Sequence, residues 1–296
     1  MCAAVLSPTT LTLSTKIVHI LRTPQELSHS VGVCRTKGQI VAMVPTMGAL
    51  HQGHTSLLEI AHQQAEVVVA TIFVNPLQFN NSIDFEKYPL QMDRDIQLLE
   101  EHGVHYLYAP TVDTMYGSGF STSVHIGGIT DLLEGASRPG HFSGVATVVT
   151  KLFSAGRPDI AVFGQKDFQQ FAVIQRMVTD LDMPIRLIMA STIRERDGLA
   201  MSSRNVRLSA SARLEAKAIS QGLSAAQALF SSGIRESQQL VEAVESVIAP
   251  TSAAIDYVKV IDSASLQELS SVSQGSVIVV AVILDGIRLI DNHILV

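Results

Sequence analysis

Residues 40–74 read IVAMVPTMGALHQGHTSLLEIAHQQAEVVVATIFV, and this stretch decides the fold. Ile40 to Val44 and Val67 to Val74 are apolar runs of strand length. Between them, His54 to Ala65 places Leu57, Leu58, Ala61 and Ala65 on one helical face and leaves Glu59, Gln63 and Gln64 to solvent. Strand, helix and strand in this order make a βαβ unit, whose crossover is right-handed in nearly every case. The alternation continues to Ala190, with further strands expected at Tyr106 to Ala109, Ile160 to Phe163 and Ile185 to Ala190. Helices are expected at Asp93 to His102, Gly144 to Ala155 and Phe168 to Leu181, each ending near a glycine, proline or aspartate.

After about Ile193 the texture changes. Helices near Ser209 to Phe230 and Ser237 to Ile248 precede strands at Ile255 to Ile261, Val277 to Leu284 and Ile287 to Ile290. Asp285-Gly286 between the last two is a hairpin signal, because both residues tolerate positive φ. The expected class is α/β: a Rossmann-like parallel sheet domain over 15–192 and a smaller mixed α/β C-terminal domain over 193–296, after an extension at 1–14.

A chain of 296 residues exceeds the usual size of one core, which agrees with two domains. Its net charge of -6 argues against a surface that neutralises many phosphates, so nucleic acid is not an expected partner, although a small anion can still bind locally. Cys2 and Cys34 are too few for a disulfide framework and show no metal-ligand spacing, which fits a reducing cytoplasm. No stretch approaches the roughly 18 apolar residues of a membrane span. Met1 to Ser14 is Ser/Thr-rich without a charged side chain, so it lacks the basic region of a secretory signal and the arginines of a transit peptide.

The most informative chemistry lies in Pro45 to His54, where the first of these strands turns into the helix. Such a turn offers backbone N–H groups and the positive end of a helix dipole to a phosphate. Gly48 and Gly53 permit close approach, and His51 and His54, three residues apart, project to the same side. The bland reading makes the glycines turn residues and the histidines caps; the combined HxGH pattern after a strand favours phosphate binding. Its spacing is not that of a Walker loop. Gln78, in Asn75-Pro76-Leu77-Gln78-Phe79, follows the next strand at the carboxyl edge of the sheet and could present an amide to a carboxylate or hydroxyl; a plain loop explains it equally well. Gly164-Gln165-Lys166-Asp167 follows a later strand in the same relative position, with Gln170 one turn on. Lys166 offers a mobile charge, and Asp167 could orient it, cap the helix or meet a ribose; alone, the run would read as a surface lysine beside a cap. Met201-Ser202-Ser203-Arg204 at the domain join can wrap phosphate oxygens or be a solvated turn. Arg138 and His141 form a further cationic pair that periodicity does not place.

PTMGALHQGH, FVNPLQF, EGASRPGHFSGV, FGQKDFQQ, DGLAMSSRN and RLIDN occur together and in this order. From about Lys16 to Val296 the chain thereby resembles the pantoate:β-alanine ligase family of the HxGH nucleotidyltransferase superfamily. The resemblance implies that pantoate attacks the α-phosphorus of ATP, giving pantoyl-adenylate and pyrophosphate, and that β-alanine then displaces AMP. It implies ATP contacts from Met47, Gly48, Ala49, Leu50, His51, Gln52, Gly53, His54, Gly164, Gln165, Lys166, Asp167, Ile193 and Met201 to Arg204. His54, His51 and Lys166 would be catalytic, Gln78 and Gln170 would hold pantoate with Gln78 also near β-alanine, Arg138 and His141 would support the substrate site, and the C-terminal domain would act as a lid. It further implies Mg²⁺ with the ATP, Asp95 as its protein ligand, and a homodimer. Where the family often has arginine after Tyr88-Pro89, this chain has Leu90. Two rivals remain at the level of sequence: an enzyme that moves AMP onto a phosphate, and a non-catalytic adenine-nucleotide sensor.

Overall fold

The structure, a computed structural model, describes residues 17–80, 85–86 and 88–296. The extension expected at 1–14 lies outside the described residues. The chain begins with strand β1 (His19–Leu21) and helix α1 (Pro24–Thr36), then β2 (Val41–Thr46), α2 (Gln52–Gln64), β3 (Val67–Ile72), α3 (Met92–Glu101) and β4 (Tyr106–Tyr108). Short helices α4 (Val112–Met115) and α5 (Leu133–Ser137) lead to α6 (His141–Gly156), β5 (Ile160–Gly164), α7 (Phe168–Asp180) and β6 (Arg186–Ala190). Among the described residues β1 to β6 form one parallel six-stranded sheet of order β1-β4-β3-β2-β5-β6.

Both faces of this sheet are covered, which is why its strands read as continuous apolar runs. Val41, Met43, Val67 and Val69 point into a core completed by Leu27 and Val31 of α1 and Leu152 and Phe153 of α6. Ala42, Val44, Val68 and Ala70 point the other way, against Leu57, Leu58 and Ala61 of α2 and Leu99 of α3. β2 runs two residues beyond the expected Val44 because the ladder with β3 continues through Pro45 and Thr46. There the Thr46 hydroxyl donates to the Thr71 carbonyl, at 2.6 Å. β3 stops at Ile72 rather than Val74.

The strand order places a topological switch between β2 and β5: the chain leaves β2 towards β3 on one side and returns to β5 on the other. The β2–β5 ladder pairs only Ala42 with Ile160 and Met43 with Ala161. Beyond it, the carboxyl ends of the two strands border the crevice in which open α/β sheets hold their ligands.

The C-terminal part contains α8 (Ala210–Glu215), α9 (Lys217–Ser231), α10 (Ser237–Ile248) and the antiparallel strands β7 (Ala254–Ile261), β8 (Val277–Leu284) and β9 (Ile287–Ile294). The single helix expected over 209–230 is two, because the chain makes a three-residue turn at Ala216, where Ile219 N–H donates to the Ala216 carbonyl. β9 runs four residues past the expected Ile290. At the hairpin, Asp285 and Gly286 have φ of 55° and 70°. β8 is apolar throughout because it too is covered twice: Ile278, Val280 and Val282 meet the helices, while Val277 and Val279 meet Phe168 and Ala172 of α7.

Candidate active site

The carboxyl ends of β2, β3, β5 and β6 and the loop after Met201 surround a cleft of about 1110 Å³, open mouth included. Its wall includes Met47, His51, Gly53, His54, Gln78, Arg138, His141, Gly164, Lys166, Asp167, Gln170 and Ile193, together with Met201 to Arg204. The side chains singled out on five separate sequence segments therefore share one space. Gly48, Ala49, Leu50, Gln52 and Gln165 are not on this wall.

The turn after β2 is held from behind. Gly48 has φ 86°, and a Cβ there would stand 3.0 Å from Ile72 and 3.1 Å from the Asp95 carboxylate, so glycine is required. Ala49 and Leu50 donate their backbone N–H groups to the two oxygens of Asp95, each at 2.8 Å. Asp95 is 1 % exposed on α3. These two amides are engaged by a protein carboxylate rather than turned to the cleft, and Asp95 lies behind the turn with one amide on each of its oxygens.

Asp95→Ala would strand two buried N–H groups, at about 1–3 kcal/mol each. We expect urea unfolding to show a loss of about 2–5 kcal/mol. A change below about 0.5 kcal/mol together with a lost Mg²⁺ dependence would instead support the metal role.

With its amides so engaged, the turn meets the cleft through its histidines. His51 is the N-cap of α2, and its Nδ1 accepts from Gly53 N–H at 3.1 Å; His54 Nδ1 accepts from His51 N–H at 3.3 Å. The pair is thus a reciprocal capping box built from imidazoles. The capping and ligand readings of HxGH are compatible, because they use different ring nitrogens. A neutral ring that accepts at Nδ1 carries its proton on Nε2, which leaves two Nε2–H donors, on rings 4.1 Å apart. Both are held neutral. Burial pushes His54 down to about 3, with the neighbouring His51 adding to the effect. Burial and then the Lys166 charge also lower His51. Lys166 follows β5, with Asp167 at 4.0 Å. Asp167 makes no side-chain cap for α7 and stands half-exposed in the cleft.

Gln78 is oriented by Asn75, which sequence reading passed over as part of a loop. The Asn75 side-chain oxygen accepts from Leu77 N–H at 3.2 Å and from the Tyr116 hydroxyl at 2.7 Å. Its nitrogen donates to the Gly144 carbonyl and to Gln78 Oε1, at 3.0 and 3.1 Å. The backbone partners fix this amide's sense, so Gln78 presents Nε2, a donor, towards Met47, 2.9 Å away. His141 Nδ1 and Arg138 Nη2 both donate to the Gln78 carbonyl, at 2.7 and 3.1 Å. That is the placement periodicity could not supply. Burial, then the Arg138 charge, pushes His141 down to about 4.

Tyr88, Phe79 and Thr192, to which sequence reading gave no role, also border the cleft. Tyr88 pairs through its phenol with Ser203, and burial raises its pKa above the ordinary tyrosine value. Phe79 is an apolar wall. The Thr192 hydroxyl is buried without a hydrogen-bond partner. Met201 closes the ring from the C-terminal side: its N–H donates to the Ile193 carbonyl at 2.9 Å, and its sulfur accepts from Gly53 N–H at 3.2 Å.

The buried neutral histidines make stability pH-dependent. Their folded pKa values are depressed, so well above the ordinary histidine value they bind no proton in either state. Between 6.5 and about 4 the unfolded chain takes up protons that native His54 and His141 refuse. Stability should fall with falling pH by up to roughly 1.4 kcal/mol per unit for each group. Urea midpoints at about pH 7, 6 and 5 test this, and His54→Gln should reduce the slope.

This constellation defines a class: a Rossmann-like α/β protein with an HxGH turn at its topological switch point. The family model for pantoate-beta-alanine ligase matches residues 19–294, and the chain belongs to that family. A pantothenate synthetase of Syntrophotalea carbinolica is 46% identical over 260 residues, which cover 88% of this chain and 92% of that protein. The crystal structure of pantothenate synthetase from Thermus thermophilus superposes with a TM-score of 0.89 at 41% identity, covering 94% of this chain and 99% of that one. The pantoate-beta-alanine ligase of Francisella tularensis, in complex with beta-gamma ATP and beta-alanine, gives a TM-score of 0.76 at 33% identity, covering 94% and 97%.

Proposed function

We propose that this chain joins (R)-pantoate to β-alanine at the expense of ATP. Family membership supports the reaction, and one observation carries the mechanism: two Nε2–H donors and the Lys166 ammonium converge on the cleft wall that also holds the Gln78 amide. A pantoate carboxylate oxygen attacks the α-phosphorus of ATP, the α–β phosphoanhydride bond breaks, and pyrophosphate leaves. The β-alanine amine then attacks the acyl carbon, the bond to AMP breaks, and the amine gives up a proton as the amide forms. His51, His54 and Lys166 stabilise charge as it moves onto the leaving pyrophosphate; no covalent enzyme intermediate is needed. Gln78 donates to a pantoate oxygen, and Gln170 lines the same wall.

Among the described residues no three potential metal ligands cluster, and the carboxylate on the cleft wall is the half-exposed Asp167. This donor set fits Mg²⁺ that arrives on the ATP phosphates and keeps several waters, with Asp167 as its protein neighbour. Bound there, the ion would neutralise phosphate charge. The same reading takes 15–192 as the body that binds nucleotide and pantoate, 193–296 as its lid, and the protein as a cytoplasmic homodimer; no described helix is long and apolar enough to cross a membrane. Exchange of labelled pyrophosphate into ATP, with Mg²⁺ and pantoate but no β-alanine, isolates the first step. Pantoate-dependent exchange supports the reading, and a folded, ATP-binding protein that shows none refutes it.

A further inference from the structure

β9 alternates between two destinations. Ile287 and Leu289 enter the core beneath α9 and α10, whereas Arg288, Asn292 and Ile294 face the parallel-sheet unit. Asn292 is 3 % exposed, and all of its side-chain hydrogen bonds run to one loop. Its nitrogen donates to the carbonyls of Gln165 and Lys166, at 2.9 and 3.0 Å, and its oxygen accepts from Gln165 Nε2 at 3.1 Å. Carbonyls only accept, so the orientation of this amide is determined. The neighbouring Asp291 accepts from Asn292 N–H at 2.8 Å and pairs with Arg194 at 2.5 and 3.1 Å. Arg194 directly follows Ile193, whose carbonyl holds Met201. Two adjacent residues of the C-terminal sheet thus grip both the Lys166 loop and the base of the Met201–Arg204 loop.

We propose that Asn292 is a positioning residue: by holding the backbone of Gln165 and Lys166, it sets where the Lys166 ammonium stands relative to His51 and His54. The inference rests on the adenylation reading given above. Apolar contacts among Phe168, Ala172, Val277, Val279 and Leu266 already dock the two units. What the buried amide adds at this point is register, since a hydrogen-bonded amide contributes little net stability beside such packing. A displacement of the reacting charge by about 1 Å costs on the order of 10²-fold in rate.

The test is a double-mutant cycle on pantoate-dependent pyrophosphate exchange. Asn292→Ala should lower kcat by about 10- to 100-fold and leave the KM for pantoate within about threefold. In a Lys166→Ala background the same change should lower the residual rate by less than about twofold, because its route of action is already gone. An equal loss in both backgrounds would mean general support of the fold and overturn the proposal, as would an unchanged rate in Asn292→Ala. If wild type shows no exchange, the adenylation reading fails; the same cycle is then run on ATP affinity by calorimetry, where additive losses overturn positioning and non-additive losses support it. Should Asn292→Ala not fold, Gln165→Ala removes the partner of the Asn292 oxygen. We expect about a severalfold drop that disappears with Lys166→Ala, and a normal rate sinks the idea.

Discussion

Lys166→Ala is expected to lower pantoate-dependent pyrophosphate exchange by about 10³-fold while leaving the melting temperature nearly unchanged, since one ammonium facing departing phosphate charge is worth about 10²-fold or more. Lys166 is the lysine on the cleft wall, and its side chain is only 21% exposed, so water screens its charge less than it would on an open surface. It takes part in no apolar cluster of the core, so its removal should cost activity rather than stability. Lys166→Arg should recover only part of the rate, because a broad planar fork cannot occupy the position of a compact ammonium. Undiminished pyrophosphate release by Lys166→Ala would return this residue to the surface-lysine reading.

His54→Ala should cost about 10²- to 10³-fold in the same step, the usual scale for one preorganised donor. The structure also predicts how the rate should depend on pH. His54 accepts at Nδ1, is held neutral with its pKa pushed to about 3, and offers Nε2–H throughout the neutral range. Its contribution should therefore be flat between about pH 6 and 8. A rate that climbs as pH falls, and that loses the slope in His54→Gln, would show that His54 acts as a charged acid and that the neutral-donor account is wrong. His54→Gln keeps an amide that can donate towards the cleft or accept from His51 N–H, as N3 glutamine does in a capping box, but a single flexible amide does both less well than the ring, so it should retain more activity than alanine and less than wild type.

Much of the fold was legible because parallel strands covered on both faces are apolar without a break, and their helices carry a clear 3.6-residue stripe. β1 and α1 were missed although a signal existed. Thr23-Pro24-Gln25-Glu26 is a capping box with proline at the first helical position, and the side-chain and backbone bonds of that box are all present. The three-residue β1 is too short for periodicity to register. The break at Ala216 had no composition cue, since an alanine-rich stretch suits one helix as well as two.

At the site, local sequence identified which residue types could meet a phosphate, because HxGH, GQKD and MSSR each sit at the boundary of an element. It could not say which atoms would face it. That depended on residues far along the chain: Asp95 engages the turn amides from 45 and 46 residues away, Gly144 and Tyr116, 69 and 41 positions on, fix the Asn75 amide that dictates which end of Gln78 is offered, and Asn292 reaches Lys166 across 126 positions. Strand, helix and turn follow from neighbours in sequence, through backbone geometry and hydrophobic period. The histidine tautomers follow from bonds inside the turn itself once α2 forms, whereas amide sense and the engagement of backbone donors follow from hydrogen-bond accounting among groups that only tertiary packing brings together, within the parallel-sheet unit and, for Asn292, across the docked sheets.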